Sequence, residues 1–166
     1  MRVLAVDPGE KRLGIALSDP TGVIASPLTV IQHVSRAADA AKIIQVAQEN
    51  EAGIIVIGQA LDEENRPTLQ SRRAARLAHA IREQTELPVE LWDESGSTQA
   101  ARSAYIQMGV KRSKRRGHLD DIAATVILQS YLDVKNPPSS PFHLPSDSLS
   151  PDEPSLDNSS PAKEED

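Results

Sequence analysis

The chain has 166 residues, no cysteine and a formal net charge of −6. The lack of cysteine excludes disulfides, thiolate zinc sites and a cysteine nucleophile, and no apolar run reaches the length of a membrane span. The first residues lack the apolar run and cleavage site of a signal peptide, so we expect a cytoplasmic protein with no membrane partner.

Residues 1–135 alternate between short apolar segments, turns and segments with helical periodicity. The pattern predicts three strands joined by tight turns, followed by helices and strands in alternation. In chain order the predicted elements are strands at 2–7, 13–18 and 23–31, a helix at 36–50, a strand at 54–57, a helix from 67 or 68 through 81, a strand at 89–92, a helix from 97 or 98 to about 109, and a helix at 119–132.

Single residues refine these elements. Pro27 interrupts the third strand, which indicates an edge position or a bulge. Ser35 is the predicted cap of the first helix, whose predicted buried face is formed by Ala38, Ala41, Ile44 and Ala47 or Gln48. The predicted buried face of the second helix is formed by Ala74, Leu77, Ala78 and Ile81.

The order of these elements predicts a topology. Three strands joined by tight turns form a meander, and two later strands, each reached through a helix, suit parallel pairing by right-handed crossovers. We therefore expect an α/β fold with a single mixed five-stranded sheet flanked by helices.

The last segment, residues 136–166, differs in composition from the rest. It holds seven acids, one base and seven of the twelve prolines. Such a segment buries too little apolar surface to offset its ordering entropy, so we predict a domain at 1–135 and a disordered acidic tail rich in proline and serine at 136–166. The domain then has 17 acids and 17 bases, and the acidic tail does not argue against a nucleic-acid partner.

Acidic residues stand at the ends of three predicted elements. Asp7 ends the first strand, Asp93 and Glu94 end the fifth, and Asp120 and Asp121 open the last helix. Ligands of an open α/β sheet bind beyond the carboxyl ends of its parallel strands, so we expect Asp7, Glu94 and Asp120 at one edge. Clustered carboxylates repel each other unless a cation neutralises them. Hard oxygen ligands favour Mg²⁺ or Mn²⁺, which support phosphodiester hydrolysis.

Each acid also has a structural interpretation. A strand-end Asp before Pro-Gly is usually a turn residue. Asp120 could be a helix N-cap, and Asp121 could be a first-turn acid that the helix dipole favours. The convergence of three acidic sites favours catalysis. The candidate catalytic residues are Asp7, Asp93, Glu94 and Asp120, and the candidate metal ligands are Asp7, Glu94 and Asp120. Strand alternation sends Asp93 and Glu94 to opposite faces, which leaves the choice between them open.

A basic run precedes the last helix and is predicted to contact phosphates. Its candidate nucleic-acid-binding residues are Lys111, Arg112, Lys114, Arg115 and Arg116, and Lys11 and Arg12 would extend the same surface. The alternative for the run is a solvated loop. Trp92 is predicted to be a packing residue, and His118 a polar residue ahead of a helix.

Four segments, taken in order, carry a resemblance to a known family: residues 4–16, 54–58, 87–94 and 120–132. They resemble the YqgF family of candidate pre-16S rRNA nucleases, also described as candidate Holliday junction resolvases, over essentially residues 2–133. The resemblance implies an RNase H-like fold, a divalent metal and a role in ribosomal RNA maturation. It places the family's acidic positions on Asp7, the Asp93-Glu94 pair and Asp120. The chain departs from the family at Ser95-Gly96 and Gln59-Ala60.

The predicted function is a metal-dependent nuclease, with pre-rRNA favoured as the substrate and branched DNA, as for a Holliday junction resolvase, as the alternative. A non-catalytic RNA-binding module on the same fold is a further alternative, which Ser95-Gly96 favours. An ATPase of the sugar-kinase and actin type would need two such domains, and the chain supplies one. Both a monomer and a homodimer agree with the sequence.

Overall fold

The structure is a computed structural model that describes residues 1–94 and 119–137. The helix predicted at 97–109, the basic run at 111–116 and the tail from residue 138 onward lie outside these described residues. No helix in the described part of the chain is long and apolar enough to cross a bilayer.

The described residues form five strands and three helices. These are β1 (Arg2–Pro8), β2 (Arg12–Ser18), β3 (Ala25–Gln32), α1 (Arg36–Glu49), β4 (Ala52–Gln59), α2 (Leu69–Arg82), β5 (Val89–Asp93) and α3 (Leu119–Lys135). The strands make one sheet in the order β3-β2-β1-β4-β5. Strand β2 is antiparallel to β1 and β3, whereas β4 is parallel to β1 and β5. The predicted single mixed five-stranded sheet is confirmed.

The turn between β2 and β3 is organised by Asp19. Its carboxylate accepts hydrogen bonds from the backbone N–H of Thr21 at 3.0 Å and from those of Val23 and Ile24 at 2.8 Å each. These bonds hold the pKa of the Asp19 carboxyl well below its ordinary value. Because the two latter N–H groups point to Asp19, β3 begins at Ala25 and not at residue 23 as predicted.

Strand β3 carries Pro27 at the edge of the sheet. The register with β2 shifts between Ile15, which faces Thr29, and Ala16, which faces Pro27. One extra β3 residue is thus accommodated as a bulge, and Pro27 lies on an edge strand, where a residue without an N–H is tolerated. Both predicted features, the edge position and the bulge, are present.

The sheet separates two apolar cores because alternate side chains of each strand point to opposite faces. On one face α1 and α2 pack on Leu4, Val6, Ile55 and Ile57. On the other face α3 packs on Val3, Ala5, Ile54 and Val56.

The buried face of α1 differs from the predicted one. Ala38 and Ala41 are exposed, and the buried apolar residues are Ala40, Ile43, Ile44, Val46 and Ala47. The predicted stripe contained a single large side chain, whereas the observed stripe buries three, which removes more apolar surface from water. The predicted cap is confirmed, since the Ser35 side chain accepts a hydrogen bond from the Ala38 N–H. The predicted face of α2 is confirmed as well.

Helix α3 runs antiparallel to β1, β4 and β5. Near its end, the Tyr131 hydroxyl donates to Glu90 at the start of β5 (3.1 Å), and Asn136 Nδ2 donates to the carbonyl of Gly22 (2.9 Å). Burial and the Glu90 carboxylate raise the pKa of Tyr131 to about 12, so this hydroxyl remains a donor. One helical turn before Tyr131, Ile127 lies beside Gly58 near the end of β4. The start of α3 therefore lies at the edge where the parallel strands end.

Trp92 joins β5 to the same helix. Its indole N–H donates to Ser130 Oγ at 2.8 Å, and its ring meets the Tyr131 ring edge-on with centroids 5.3 Å apart. The predicted packing role of Trp92 is confirmed.

Candidate active site

Asp7 and Glu94 lie on one face of the sheet at its carboxyl edge. Val3 and Ala5 of β1 pack in the core beneath α3, so Asp7 continues that side of the strand. Trp92 of β5 packs in the same core, and Glu94 follows it by two residues. Asp93, between them, continues the opposite side of β5. The alternation therefore places Asp7 and Glu94 on the same face of the sheet, with β4 between their strands, and puts Asp93 on the other face.

The Glu94 carboxylate is held deep in the protein. The residue is only 8% exposed, and its backbone N–H donates to the carbonyl of Gln59 at 3.0 Å, which continues the pairing of β5 with β4. A buried carboxylate acts through a medium of lower dielectric than water, where its attraction for a cation is stronger.

Gly58 makes room for this carboxylate. A Cβ atom at this position would lie 2.8 Å from Glu94 Oε1 and 2.4 Å from Ile127 Cδ1. The site thus requires a residue without a side chain between β1 and β5, as is usual where a functional group approaches the backbone closely.

Asp7 is half-buried and is followed by a tight turn. The N–H of Gly9 donates to the carbonyl of Asp7 at 3.0 Å, and a Cβ atom on Gly9 would lie 2.2 Å from the carbonyl oxygen of Arg12. The glycine therefore lets the chain reverse directly after Asp7. Lys11 follows in this turn and Arg12 begins β2, and both residues are exposed at the same edge of the sheet.

Asp120 lies inside α3 as the structure describes it, so the alternative interpretation of Asp120 as the helix N-cap is wrong. Position 120 precedes Ile127 by seven residues, or two helical turns, and therefore lies on the same stripe of the helix. The antiparallel course of α3 puts this position beyond Ile127, toward the edge that holds Asp7 and Glu94. The side chain of Asp120 lies outside the described part of the structure.

The donor chemistry of this edge fits a divalent cation. Carboxylate oxygens are the ligands that Mg²⁺ and Mn²⁺ prefer. Among the side chains that the structure describes, no three His, Asp or Glu residues gather as a metal-binding group. Asp7 and Glu94 supply two carboxylates on one face, and Asp120 is the third predicted ligand.

A second feature of this edge was not predicted from the sequence. A cavity of about 380 Å³ opens on the α1–α2 face beside Pro8 and Gly9. Four arginines line it: Arg36, Arg72, Arg73 and Arg76. The spacing of the last three along α2 was a visible signal, but only the position of the helix at the end of β1 connects them to Asp7.

Comparison with sequence families and relatives places the chain among known proteins. The RuvX family model, described as Holliday junction resolvase, matches residues 1–134. A candidate pre-16S rRNA nuclease of Myxococcus xanthus is 35% identical over 86% of this chain and 95% of its own length. A candidate pre-16S rRNA nuclease of Desulforamulus reducens is 36% identical over 80% of this chain and 97% of its own length.

Solved structures with low sequence identity share the fold. The Holliday junction resolvase of fowlpox virus has a TM-score of 0.52 at 15% identity, with 81% of this chain and 99% of that one covered. RuvC of T. thermophilus, solved with a Holliday junction substrate, has a TM-score of 0.50 at 16% identity, with 81% and 95% covered. The predicted RNase H-like fold, common to RuvC-like resolvases, is confirmed.

The four sequence segments that indicated a family thus agree with the match over residues 1–134 and with relatives that cover at least 80% of the chain. The chain belongs to the RuvX family of Holliday junction resolvases, the family also called YqgF.

Proposed function

We propose that this protein is a divalent-metal-dependent nuclease that hydrolyses phosphodiester bonds, with pre-16S rRNA as its substrate in ribosome biogenesis. The observation that carries the proposal is the placement of Asp7 and Glu94 on one face of the carboxyl edge, in a chain of the RuvX family. The names of the relatives support ribosomal precursor RNA as the substrate. A cytoplasmic location follows from that substrate.

Asp7, Glu94 and Asp120 are the residues that would hold Mg²⁺ or Mn²⁺. A bound divalent ion supplies Lewis acidity and lowers the pKa of its bound water. The chain contributes position. The backbone hydrogen bond to Gln59 fixes Glu94, and its carboxylate lies close to Gly58 and Ile127. The carboxylate therefore needs little rearrangement when substrate binds.

The positive residues around this edge serve a separate purpose. Lys11, in the turn that follows Asp7, and Arg12, at the start of β2, are exposed and would contact backbone phosphates. The run at 111–116, which contributes Lys111, Arg112, Lys114, Arg115 and Arg116, would extend this contact. These residues hold the substrate, whereas the carboxylates act on the bond that is cut.

A second candidate substrate is a branched DNA. The family description and the two solved resolvases favour it. Cleavage of either substrate would use the same carboxylate site, so the activities on RNA and on branched DNA must be compared directly.

The test is cleavage of a precursor-rRNA fragment and of a four-way DNA junction side by side, with Mg²⁺, with Mn²⁺ and with a chelator. We expect metal-dependent cleavage, with the RNA preferred. Asp7→Asn and Glu94→Gln should bind substrate but not cleave it, and Glu94→Gln should lose more activity than Asp93→Asn. Glu86→Gln, which removes an exposed carboxylate outside the site, is the control and should cleave normally.

The same substrates test the division between binding and cleavage. Replacing Lys114, Arg115 and Arg116 together with Ala should weaken binding and lower the slope of log affinity against log salt by about 0.7 to 0.9 per lost phosphate contact. Cleavage at saturating substrate should persist. Tight binding with no cleavage by the wild type in either metal would overturn the nuclease and favour a non-catalytic RNA-binding module.

A further inference from the structure

The arginine cavity concentrates positive charge at the carboxyl edge. Arg36, Arg72, Arg73 and Arg76 are all exposed, and within the described ranges none of the four forms an ion pair. The only carboxylates that line the cavity are Glu10 and Asp39 among the described residues. Four guanidinium groups against two carboxylates in a concave surface give a positive potential that attracts anions.

One of those two carboxylates is already engaged. Asp39 is 4% exposed, and its Oδ2 lies 2.5 Å from His33 Nδ1 while its Oδ1 accepts from the Val34 N–H. This pair fixes the orientation of the imidazole and leaves Nε2 as its second polar atom. Asp39 therefore positions a cavity-lining histidine and forms no ion pair with a lining arginine, and the four guanidinium groups outnumber the two carboxylates.

The fold adds to this charge and shapes the site. Helix α1 begins at the cavity with Ser35 and Arg36, so the positive end of its dipole faces the same space. The buried side chains of Leu13 and Leu77 form an apolar part of the wall. The volume, about 380 Å³, is at the small end of the range for ligand pockets and suits a single nucleotide unit.

The position of the cavity relative to the carboxylates indicates what occupies it. Pro8, Gly9 and Glu10, which line the cavity, directly follow Asp7 in sequence. The carboxylates lie on the α3 face of the sheet and the arginines on the α1–α2 face, with the end of β1 between them. A polyanion that reaches Asp7 can therefore continue past the partly exposed Gly9 into the cavity.

We propose that the arginine cavity binds a backbone phosphate of the nucleic-acid substrate, next to the segment held at the carboxylates. Arginine suits this role because its planar fork donates two parallel hydrogen bonds to one phosphate. The inference rests on the proposed function for the identity of the polyanion. The cavity would extend the binding surface to the second face of the sheet, which would make affinity depend on substrate length.

The test measures binding of precursor-rRNA fragments without divalent metal, so that cleavage plays no part. Arg72→Gln and Arg76→Gln should each weaken binding of a long fragment about tenfold, and the double variant should also show a shallower salt dependence. Lys42→Gln removes the same charge from an exposed position of α1 outside the cavity and should change affinity less than twofold. With Mg²⁺ or Mn²⁺ restored, the arginine variants should still cleave at saturating substrate.

Length and competition separate the outcomes. An oligonucleotide can be shortened until it no longer reaches the cavity, at which length the wild type loses the affinity that the cavity adds. Both arginine variants should bind this short oligonucleotide with the same affinity as the wild type. Equal affinity and salt dependence of the wild type and the double variant on long fragments would overturn the proposal. Tight binding of AMP or inorganic phosphate, lost in the double variant while RNA affinity is unchanged, would also overturn it and indicate a mononucleotide site. Loss of cleavage in Asp7→Asn has no bearing on these binding results, so the two proposals can fail separately.

Discussion

At the residue scale, Gly58 determines how Glu94 can be placed. The sequence predicted Glu94 as a candidate ligand because an acid follows an apolar strand. It did not indicate Gly58, since a glycine after four aliphatic residues also suits a strand end. The role of Gly58 becomes visible only when Ile127 and Glu94, distant in sequence, meet at its Cα.

Gly58→Ala should therefore damage both stability and activity. The new methyl group would overlap Ile127 Cδ1 and crowd Glu94 Oε1, and overpacking of this kind costs about 1–3 kcal/mol. A displacement of the carboxylate by about 1 Å can reduce the rate about 100-fold. Thermal melting and the cleavage assay measure the two effects.

A second substitution separates them. Ile127→Val removes the Cδ1 atom nearest to the new methyl group but leaves the Glu94 contact unchanged. The double variant should recover much of the lost melting temperature without recovering cleavage. Recovery of both together would show that Gly58 matters for packing alone.

At the element scale, the type of each described element and its order along the chain followed from the sequence, because each element has a clear period or is bounded by turn residues. The face of α1 did not, since alanines at several helical spacings give no unique stripe. Large side chains decide the face, and Ile43 and Val46 lay outside the predicted one. The start of β3 was also misplaced, because Asp19 takes backbone N–H groups that the strand pattern assigned to the sheet.

The Asp19 turn gives a pH-dependent prediction. Hydrogen bonds lower the pKa of this carboxyl in the folded protein below its ordinary value of 3.8. The ionised Asp19 carboxylate therefore stabilises the fold above pH 3.8. This contribution is lost as the pH falls from 3.8 toward the lower pKa of the folded protein, where the carboxylate itself becomes protonated. Asp19→Asn should lower the melting temperature by a few degrees at pH 7 and show a weaker further loss on acidification below pH 3.8. Parallel melting curves of the two proteins against pH would contradict this role.

At the scale of the whole molecule, the meander and the parallel pairing of the later strands were predictable, whereas the arginine cavity beside the carboxylates was not. Tight turns enforce a meander and helical crossovers enforce parallel strands, which leaves few topologies. The same rules brought Asp7 and Glu94 to one edge. They said nothing of the arginine cavity, because its walls come from a turn and two helices whose relative placement depends on packing.

The boundary of the domain can be tested by truncation. We expect residues 1–135 to form the folded unit and the acidic segment after it to contribute little packing. Asn136 is an exception to the predicted boundary, since its side chain donates to Gly22 and its N–H to Leu132. Deleting residues 138–166 should leave the melting temperature unchanged, whereas deleting 136–166 should lower it slightly. A large loss with the shorter deletion would show that the tail packs on the domain.

The turn at residues 20–22 receives contacts from both ends of the folded unit. The amino group of Met1 donates to the carbonyl of Pro20 at 3.1 Å, and Asn136 reaches Gly22 two residues later. Neighbouring termini permit circular permutation. A short flexible linker could join residue 137 to residue 1, and new ends could open in the exposed loop around Glu63. Since this junction lies at the opposite pole from Asp7 and Glu94, such a protein could also be anchored to a surface there with its carboxylates facing away from the support.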